Sequence, residues 1–497
     1  SVAGLSSDPV TLTMSWWGDD ARTETYQQAI QAFETKLQYI TVETIYGTTA
    51  DEDQTADVMQ VDWTWPGQNA DQFVDLNEYS DVIDLEQFSQ SALDACTVDG
   101  ALLAVPMSVT GRIFYWNTCT FEQAGIDAPK TYEELLTAGN TFREVLGEEY
   151  YPLAMDAAAR MNLMVSYLES TTGKAWVVDR QLQYSADEIK TGLEFLQALE
   201  ENHVMPTLAA QQANGTLDQT PMWQNGQYAG TFAWDADAET YRSALKNASG
   251  FLVGDEIAFG GQANGGFSKV YLALAINSSC QHPKEAAILV NFLLNEDMGA
   301  SIMGTACGLP DSVTGRTAAT AAGLVNPLVV EANNRMMAFV DFPLDPTFES
   351  PALAAVPDGL YAAVLTACSN GELTTTQAAE QLAVTDEVLG SLDCEGIPQL
   401  VVYNKCDVAN AVAFDPDILL TSAKTGYGLD ALLAKIDEVL NHRVRTIEIV
   451  LPYDKLALAD ILRSRGSVAA EEYREDGVYY RGTVKIDDLH RFEEFLV

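Results

Sequence analysis

Val10-Thr-Leu-Thr-Met-Ser-Trp16 alternates apolar and polar side chains, the two-residue period of a strand. Working outward, a helix is predicted over residues 24–37 and a second strand over 39–45. A third strand reads Ala56-Asp-Val-Met-Gln-Val-Asp62. Strands alternating with helices in this order argue for an α/β fold. Gly111-Arg-Ile-Phe-Tyr-Trp-Asn117 and residues 227–234 and 269–276 read as further strands.

Helix signals lie between them. Thr131 with Glu134 forms a predicted capping box, and Ser185 with Glu188 repeats it. Leu135, Leu136, Phe142, Val145 and Leu146 give the first of these helices its apolar stripe. Pro283 opens a helix that is nearly all apolar over 286–294 and so must be buried on most sides.

The chain has 497 residues, too many for one compact core, and a net charge of −45 from 72 acidic and 27 basic residues. The charge is uneven. Residues 394–497 hold 12 Lys and Arg against 18 Asp and Glu, which leaves 15 basic and 54 acidic residues in 1–393. All eight Trp precede residue 394. This break suggests two pieces of different origin. The acidic piece lacks the basic face that nucleic acid requires. No run of about 18 apolar residues is present to span a membrane, and any export signal is expected to be already absent. Seven Cys, at 96, 119, 280, 307, 368, 394 and 406, show no CxxC pair and no metal spacing with the four His. They read mostly as buried free thiols, and no metal or other cofactor is expected.

Over residues 1–392 the order of motifs resembles the family 1 extracellular solute-binding proteins, the carbohydrate receptors of ABC importers. The resemblance rests on Ser15-Trp-Trp-Gly-Asp19, Asp57-Val-Met-Gln-Val-Asp-Trp63 and Val105-Pro-Met-Ser-Val-Thr-Gly-Arg112. It continues through Gly230-Thr-Phe-Ala-Trp-Asp235, Gly265-Gly-Phe-Ser-Lys269, His282-Pro-Lys-Glu-Ala-Ala287 and Cys307-Gly-Leu-Pro310. It implies a type II periplasmic-binding-protein fold of two hinged lobes with a sugar between them. One lobe is expected from 1–116 plus 270–310, the other from 118–268 plus 312–392. Family members usually carry a longer helical stretch after Tyr46-Gly47, so residues 48–55 are expected to have shortened or lost a helix beside the cleft.

Sugars present a C–H face that rings stack on and a hydroxyl rim that carboxylates, amides and Arg bind. Trp17 with Asp19, Asp62 with Trp63, and Trp234 with Asp235 each place a ring and an acid at a strand end, where open α/β sheets hold ligands. The resemblance implies that Trp234 stacks on the sugar. Trp16 alternates with Val10, Leu12 and Met14 and reads as core, as do Trp116 and Trp176. Arg112 reads either as a hydroxyl donor or as a structural ion pair. Asp156 is a further candidate for the cleft, and Lys269 closes a motif of the resemblance. Gly265 and Gly266 either let the backbone approach the ligand or form a turn. The expected ligand is a neutral sugar or oligosaccharide, bound without chemistry. The expected partners are that ligand and the importer's membrane subunits. The receptor is expected to be a monomer outside the cell or in the periplasm, attached to the membrane only through the permease or a since-removed lipid anchor. Ser1 is not the Cys with which a lipoprotein starts.

The second piece differs. Pro398-Gln-Leu-Val-Val-Tyr403 reads as a strand that ends in Asn404-Lys405-Cys-Asp407, and a second strand ends in Thr421-Ser422-Ala423-Lys424. Leu429, Leu432, Leu433, Ile436, Val439 and Leu440 form a helical stripe. Asn-Lys-x-Asp followed by Ser-Ala-Lys resembles the guanine-reading motifs of translation-type GTPases, and the rest resembles the end of HflX-type GTPases. The expected parts are a truncated GTPase end over 394–443 and a small βαββα domain over 445–497. The phosphate cradle GxxxxGK[ST] occurs nowhere in the chain, since Gly173-Lys174 has Leu168 where its first Gly belongs. The guanine motif is therefore expected to be vestigial. A sugar receptor works outside the membrane and HflX-type GTPases in the cytosol, so a fusion or gene-model artefact is expected. Two enzyme readings compete, a GTPase-related ribosome-associated protein and a secreted glycan-processing enzyme. The first lacks the phosphate loop, and acids are too abundant for any pair to signal the second.

Overall fold

The computed structural model describes residues 8–49, 55–62, 70–178, 181–211, 216–261, 264–344, 348, 353, 359–391, 402–403, 419–422, 424–441, 444–453, 455–465, 467–474, 477–485, 489, 491–492 and 495–496. The chain divides into two compact units, Ser1–Glu395 and Gly396–Val497.

In the first unit the strands of the two main sheets are, in chain order, β1 (Val10–Trp17), β2 (Ile40–Gly47), β3 (Val58–Asp62), β4 (Val105–Pro106), β5 (Val109–Asn117), β6 (Gly230–Trp234), β7 (Phe251–Val253), β8 (Phe267–Val270), β9 (Leu272–Ile276) and β10 (Phe342–Pro343). One sheet runs β2-β1-β3-β9-β4, and the other runs β6-β5-β8-β10 with β7 also on β5. β1 pairs in parallel with β2 and β3, as strands joined through a crossover helix do. β5 pairs with β6, β7 and β8 in the second sheet, so residues 109–116, expected at the end of the first lobe, stand in that sheet. Residues 269–276, read as one strand, are two. β8 ends in the second sheet, Tyr271 intervenes, and β9 begins in the first. A continuous apolar run cannot show that its two halves face different cores.

Helices cover both sheets. α1 (Asp20–Lys36) buries Tyr26, Ile30 and Phe33. α2 (Tyr132–Val145) starts at Thr131, whose hydroxyl accepts from the Glu134 amide at 3.1 Å, but the Glu134 carboxylate turns back to the Lys130 amide at 2.8 Å. The full capping box forms at Ser185 and Glu188, ahead of α4 (Ala186–Glu201). α3 (Ala157–Thr172) and α5 (Pro283–Asn295) are buried over most of their length, as the all-apolar reading of α5 requires. Trp16, Trp116 and Trp176 are core residues. α6 (Pro327–Phe339) packs its Ala332 and Met336 with Ile113 and Tyr115 of β5.

The second unit holds two short parallel strands, β11 (Val402–Tyr403) and β12 (Leu419–Leu420), then α7 (Leu429–Asn441). A three-stranded antiparallel sheet follows, β13 (Val444–Leu451), β14 (Ser467–Arg474) and β15 (Gly477–Lys485), with β15 in the centre. α8 (Ala457–Arg465) closes its core around Ile449, Leu462, Tyr480 and Phe492. The last helix of the expected βαββα order falls largely outside the described residues.

Candidate functional site

A cavity of about 240 Å³ opens where the two sheets of the first unit meet, bordered by Thr110, Trp234, Asp237, Lys269, Tyr271 and Leu309 among others. Strand register explains the convergence. Trp234 lies opposite Arg112, and Lys269 opposite Thr110. Residues 110 and 112 share one face of β5, so all four side chains are delivered to the same side of the sheet. There the Arg112 guanidinium carbon sits 4.6 Å from the centre of the Trp234 ring and the Lys269 ammonium 4.9 Å from it. Both distances are those of cation–π contacts. Arg112 also donates to the Phe232 carbonyl at 2.9 Å.

Asp235, next in sequence, is turned inward and only 3 % exposed. Its carboxylate accepts from the Thr110 hydroxyl, from Asn333 Nδ2 at 2.6 Å and from the Ala236 amide at 2.9 Å. Burial raises its pKa, and these donors oppose the rise. Tyr115 donates to the Trp234 carbonyl at 2.7 Å and fixes the same turn from below. Asp237 lines the cavity instead. Burial pushes its carboxyl upward, and the nearby Arg112 charge pulls it back.

The structure thus brings together Arg112, Trp234, Asp235 and Lys269. The other described candidates do not line this cavity. Asp19 is the exposed N-cap of α1 and accepts from the Arg22 amide at 2.8 Å. Asp156 is the N-cap of α3 and accepts from the Ala159 amide at 2.8 Å. Both acids, Asp19 read at a strand end and Asp156 as a further cleft candidate, start helices. Trp17 is half-buried at the end of β1, and its carbonyl accepts from Gln60 and Arg22. Asp62 ends β3 opposite Leu272, while Trp63 lies outside the described residues. Gly266 has φ +79° and lines a separate small pocket with Phe339 and Glu256. Asp237 and Tyr271 were not singled out from sequence. Tyr271 left one signal, a polar-tipped ring inside an otherwise apolar run.

No group of three metal-ligating side chains forms among the described residues. The described cysteines Cys96, Cys119, Cys280, Cys307 and Cys368 are free. Burial pushes the Cys96 and Cys280 thiols up to about 12, away from the thiolate that a nucleophile needs. In the second unit Ser422 is buried and its hydroxyl accepts from the Thr425 amide at 3.2 Å, while Lys424 is exposed. Asn404, Lys405, Asp407 and Ala423 lie outside the described residues.

Two α/β layers meeting at a cleft that holds an indole and two cations define a solute-binding protein. The chain belongs to the bacterial extracellular solute-binding protein family, which matches residues 19–300. Members of that family are extracellular or periplasmic binding proteins, and no helix among the described residues is long and apolar enough to cross a membrane. A periplasmic oligogalacturonide-binding protein from Yersinia enterocolitica is similar at 29 % identity and TM-score 0.71, over 77 % of this chain and 99 % of that one. The complex of such a protein with saturated digalacturonic acid is similar at TM-score 0.62. A de novo designed cysteine esterase, ECH19, is similar at 28 % identity and TM-score 0.73, over 78 % of this chain and 99 % of that one. Residues 407–488 match the HflX C-terminal domain. A GTPase HflX from Caldanaerobacter subterraneus subsp. tengcongensis is 30 % identical over 128 residues, 25 % of this chain and 30 % of that protein. The chain spans less than a third of the length of the curated relatives it matches.

Proposed function

We propose that residues 1–392 form the carbohydrate receptor of an ABC importer, holding a saccharide between two lobes and delivering it to the membrane permease without chemical change. The lobes are the two sheets with their helices, and the crossovers between β4 and β5 and between β8 and β9 are the hinges. The observation that carries the reading is Trp234, a half-buried ring at a strand end that borders the cavity between the sheets. Such a ring offers the flat apolar surface that a pyranose face needs. Asp237, Lys269 and Arg112 supply groups for the hydroxyl rim. Asp235 supports the ring from inside, because its carboxylate is already taken by Thr110, Asn333 and Ala236.

Sequence analysis favours a neutral sugar. A second reading, an acidic oligosaccharide, is favoured by the pair of cations on Trp234 and by the oligogalacturonide-binding relative. A thermal-shift panel of neutral oligosaccharides and oligogalacturonides separates the two. Stabilisation by a saccharide is expected. Stabilisation by galacturonides alone selects the acidic reading, and a response to peptides or metal ions but to no saccharide contradicts the receptor.

The C-terminal unit is proposed to be a non-functional GTPase fragment joined by fusion or a gene-model artefact. The missing phosphate cradle supports this, because guanine contacts alone leave the triphosphate without partners. Filter retention of labelled GTP tests it. No retention is expected, and tight retention would restore the GTPase-related reading.

A further inference from the structure

Tyr271 is the single residue between β8 of the second sheet and β9 of the first. Its amide donates at 2.9 Å to the carbonyl of Ser108, which precedes β5 in the neighbouring crossover. A tyrosine in such a tight crossing would ordinarily hide its ring. This one is 42 % exposed and borders the same cavity as Trp234. Gly308 packs beside it, and the tight neighbour there is Ser108. A Cβ at Gly308 would stand 3.6 Å from the Tyr271 ring and 2.6 Å from Ser108 Oγ, and its φ of +93° suits glycine alone.

The phenol also lies near a fixed charge. Arg22 of α1 donates to the Trp17 carbonyl at 3.1 Å and to the Ala306 carbonyl at 2.9 Å, and the Tyr271 phenol lies near enough to interact with its charge. The rigid fork of the guanidinium bonds both carbonyls at once and so fixes where its charge stands beside the phenol. The end of β1, the 306–308 turn and the crossover tyrosine are thereby tied to one side chain.

We infer that Tyr271 is a ligand-contacting residue, a second ring bordering the cavity that holds Trp234, and that Arg22 is its positioning residue. The inference rests on the receptor reading above. Because Tyr271 is itself the crossover, a ligand packed on its ring bears directly on the backbone that joins the two sheets.

The test is calorimetry on the full chain with digalacturonic acid and maltotriose as probes. It compares the unchanged protein with Tyr271→Ala, Tyr271→Phe, Arg22→Met and the double variant Arg22→Met/Tyr271→Phe. Tyr271→Ala is expected to weaken binding of the active probe roughly 3- to 10-fold, and Tyr271→Phe, which keeps the ring, by less. Arg22→Met is expected to lose at least half of its effect in the Tyr271→Phe background, since both changes remove one contact. Undiminished binding by Tyr271→Ala overturns the ring's role, and fully additive effects overturn Arg22 as its positioner. Nitration of Tyr271 with and without the active probe, read by peptide mass spectrometry, checks the same contact without a substitution. Protection is expected, and equal nitration in both samples contradicts the contact. If neither probe gives heat with the unchanged protein, the receptor reading fails and this inference fails with it.

Discussion

The two units are built from the same kinds of element, yet they use them differently. In the receptor unit the stripes find partners. Phe33 of α1 meets Phe292 of α5 with ring centres 5.3 Å apart, and α5 is buried on nearly every side. In the C-terminal unit the β13–β15–β14 sheet closes a core with α8, but α7 leaves Leu433 60 % exposed, and β11 and β12 share two register pairs. Hydrophobic periodicity therefore reports what an element is able to bury, not whether a partner stands against it. The same holds for function. A receptor cavity is assembled from several strands, whereas Asn-Lys-x-Asp and Ser-Ala-Lys are short motifs that persist without the phosphate cradle.

The largest expected effect separates the units by stability. Asp235→Ala strands Thr110, Asn333 and the Ala236 amide in a buried turn and should destabilise the receptor unit by about 2–4 kcal/mol. Scanning calorimetry should then show one transition lowered and the C-terminal one unmoved. Movement of both together would mean that the units do not unfold independently. A saturating saccharide at about 100 times its Kd should raise the receptor transition alone, by about 2.7 kcal/mol. Trp234→Ala should weaken saccharide binding by about 1–3 kcal/mol while leaving both transitions close to their original temperatures.

The smallest effect is a pH dependence of the receptor transition. Burial pushes Glu256 from the ordinary value of 4.5 to about 7, with the Asp341 charge adding to the rise, and burial also holds Glu169 well above its ordinary value. A carboxyl whose folded pKa is raised retains its proton in the folded state longer than in the unfolded one. Its contribution is intact below about 4.5 and is lost as pH climbs through 7. Thermal midpoints of the receptor transition should fall across that window, and Glu256→Gln should flatten the fall. An unchanged slope in Glu256→Gln would exclude that residue as a source of the pH dependence.

Much of the fold was legible in the sequence. The alternation of Val10–Trp17, the box at Ser185 and Glu188, and the proline-led apolar helix at Pro283 each state a local rule that tertiary packing obeys. The sheet switch at Tyr271 was not legible, because Leu272–Ile276 stays apolar whichever core it enters. Of the candidate site residues, Trp234, Arg112 and Lys269 lie in or at the ends of strands whose register aligns them, a pattern the strand readings carry. At Asp19 and Asp156 nothing read from the sequence signalled that the acid also serves the first turn of a helix. Asp237 escaped notice because a chain with 72 acidic residues gives no single one prominence.

Trp234 is the residue on which the receptor reading depends, as the ring that holds a saccharide between the two sheets. Titration calorimetry of the unchanged protein and of Trp234→Ala, side by side with digalacturonic acid and with maltotriose, tests this most directly. The expected result is saturable heat from one of the two sugars and an affinity at least about fivefold weaker in the variant. No heat from either sugar, or equal affinity in both proteins, would contradict it.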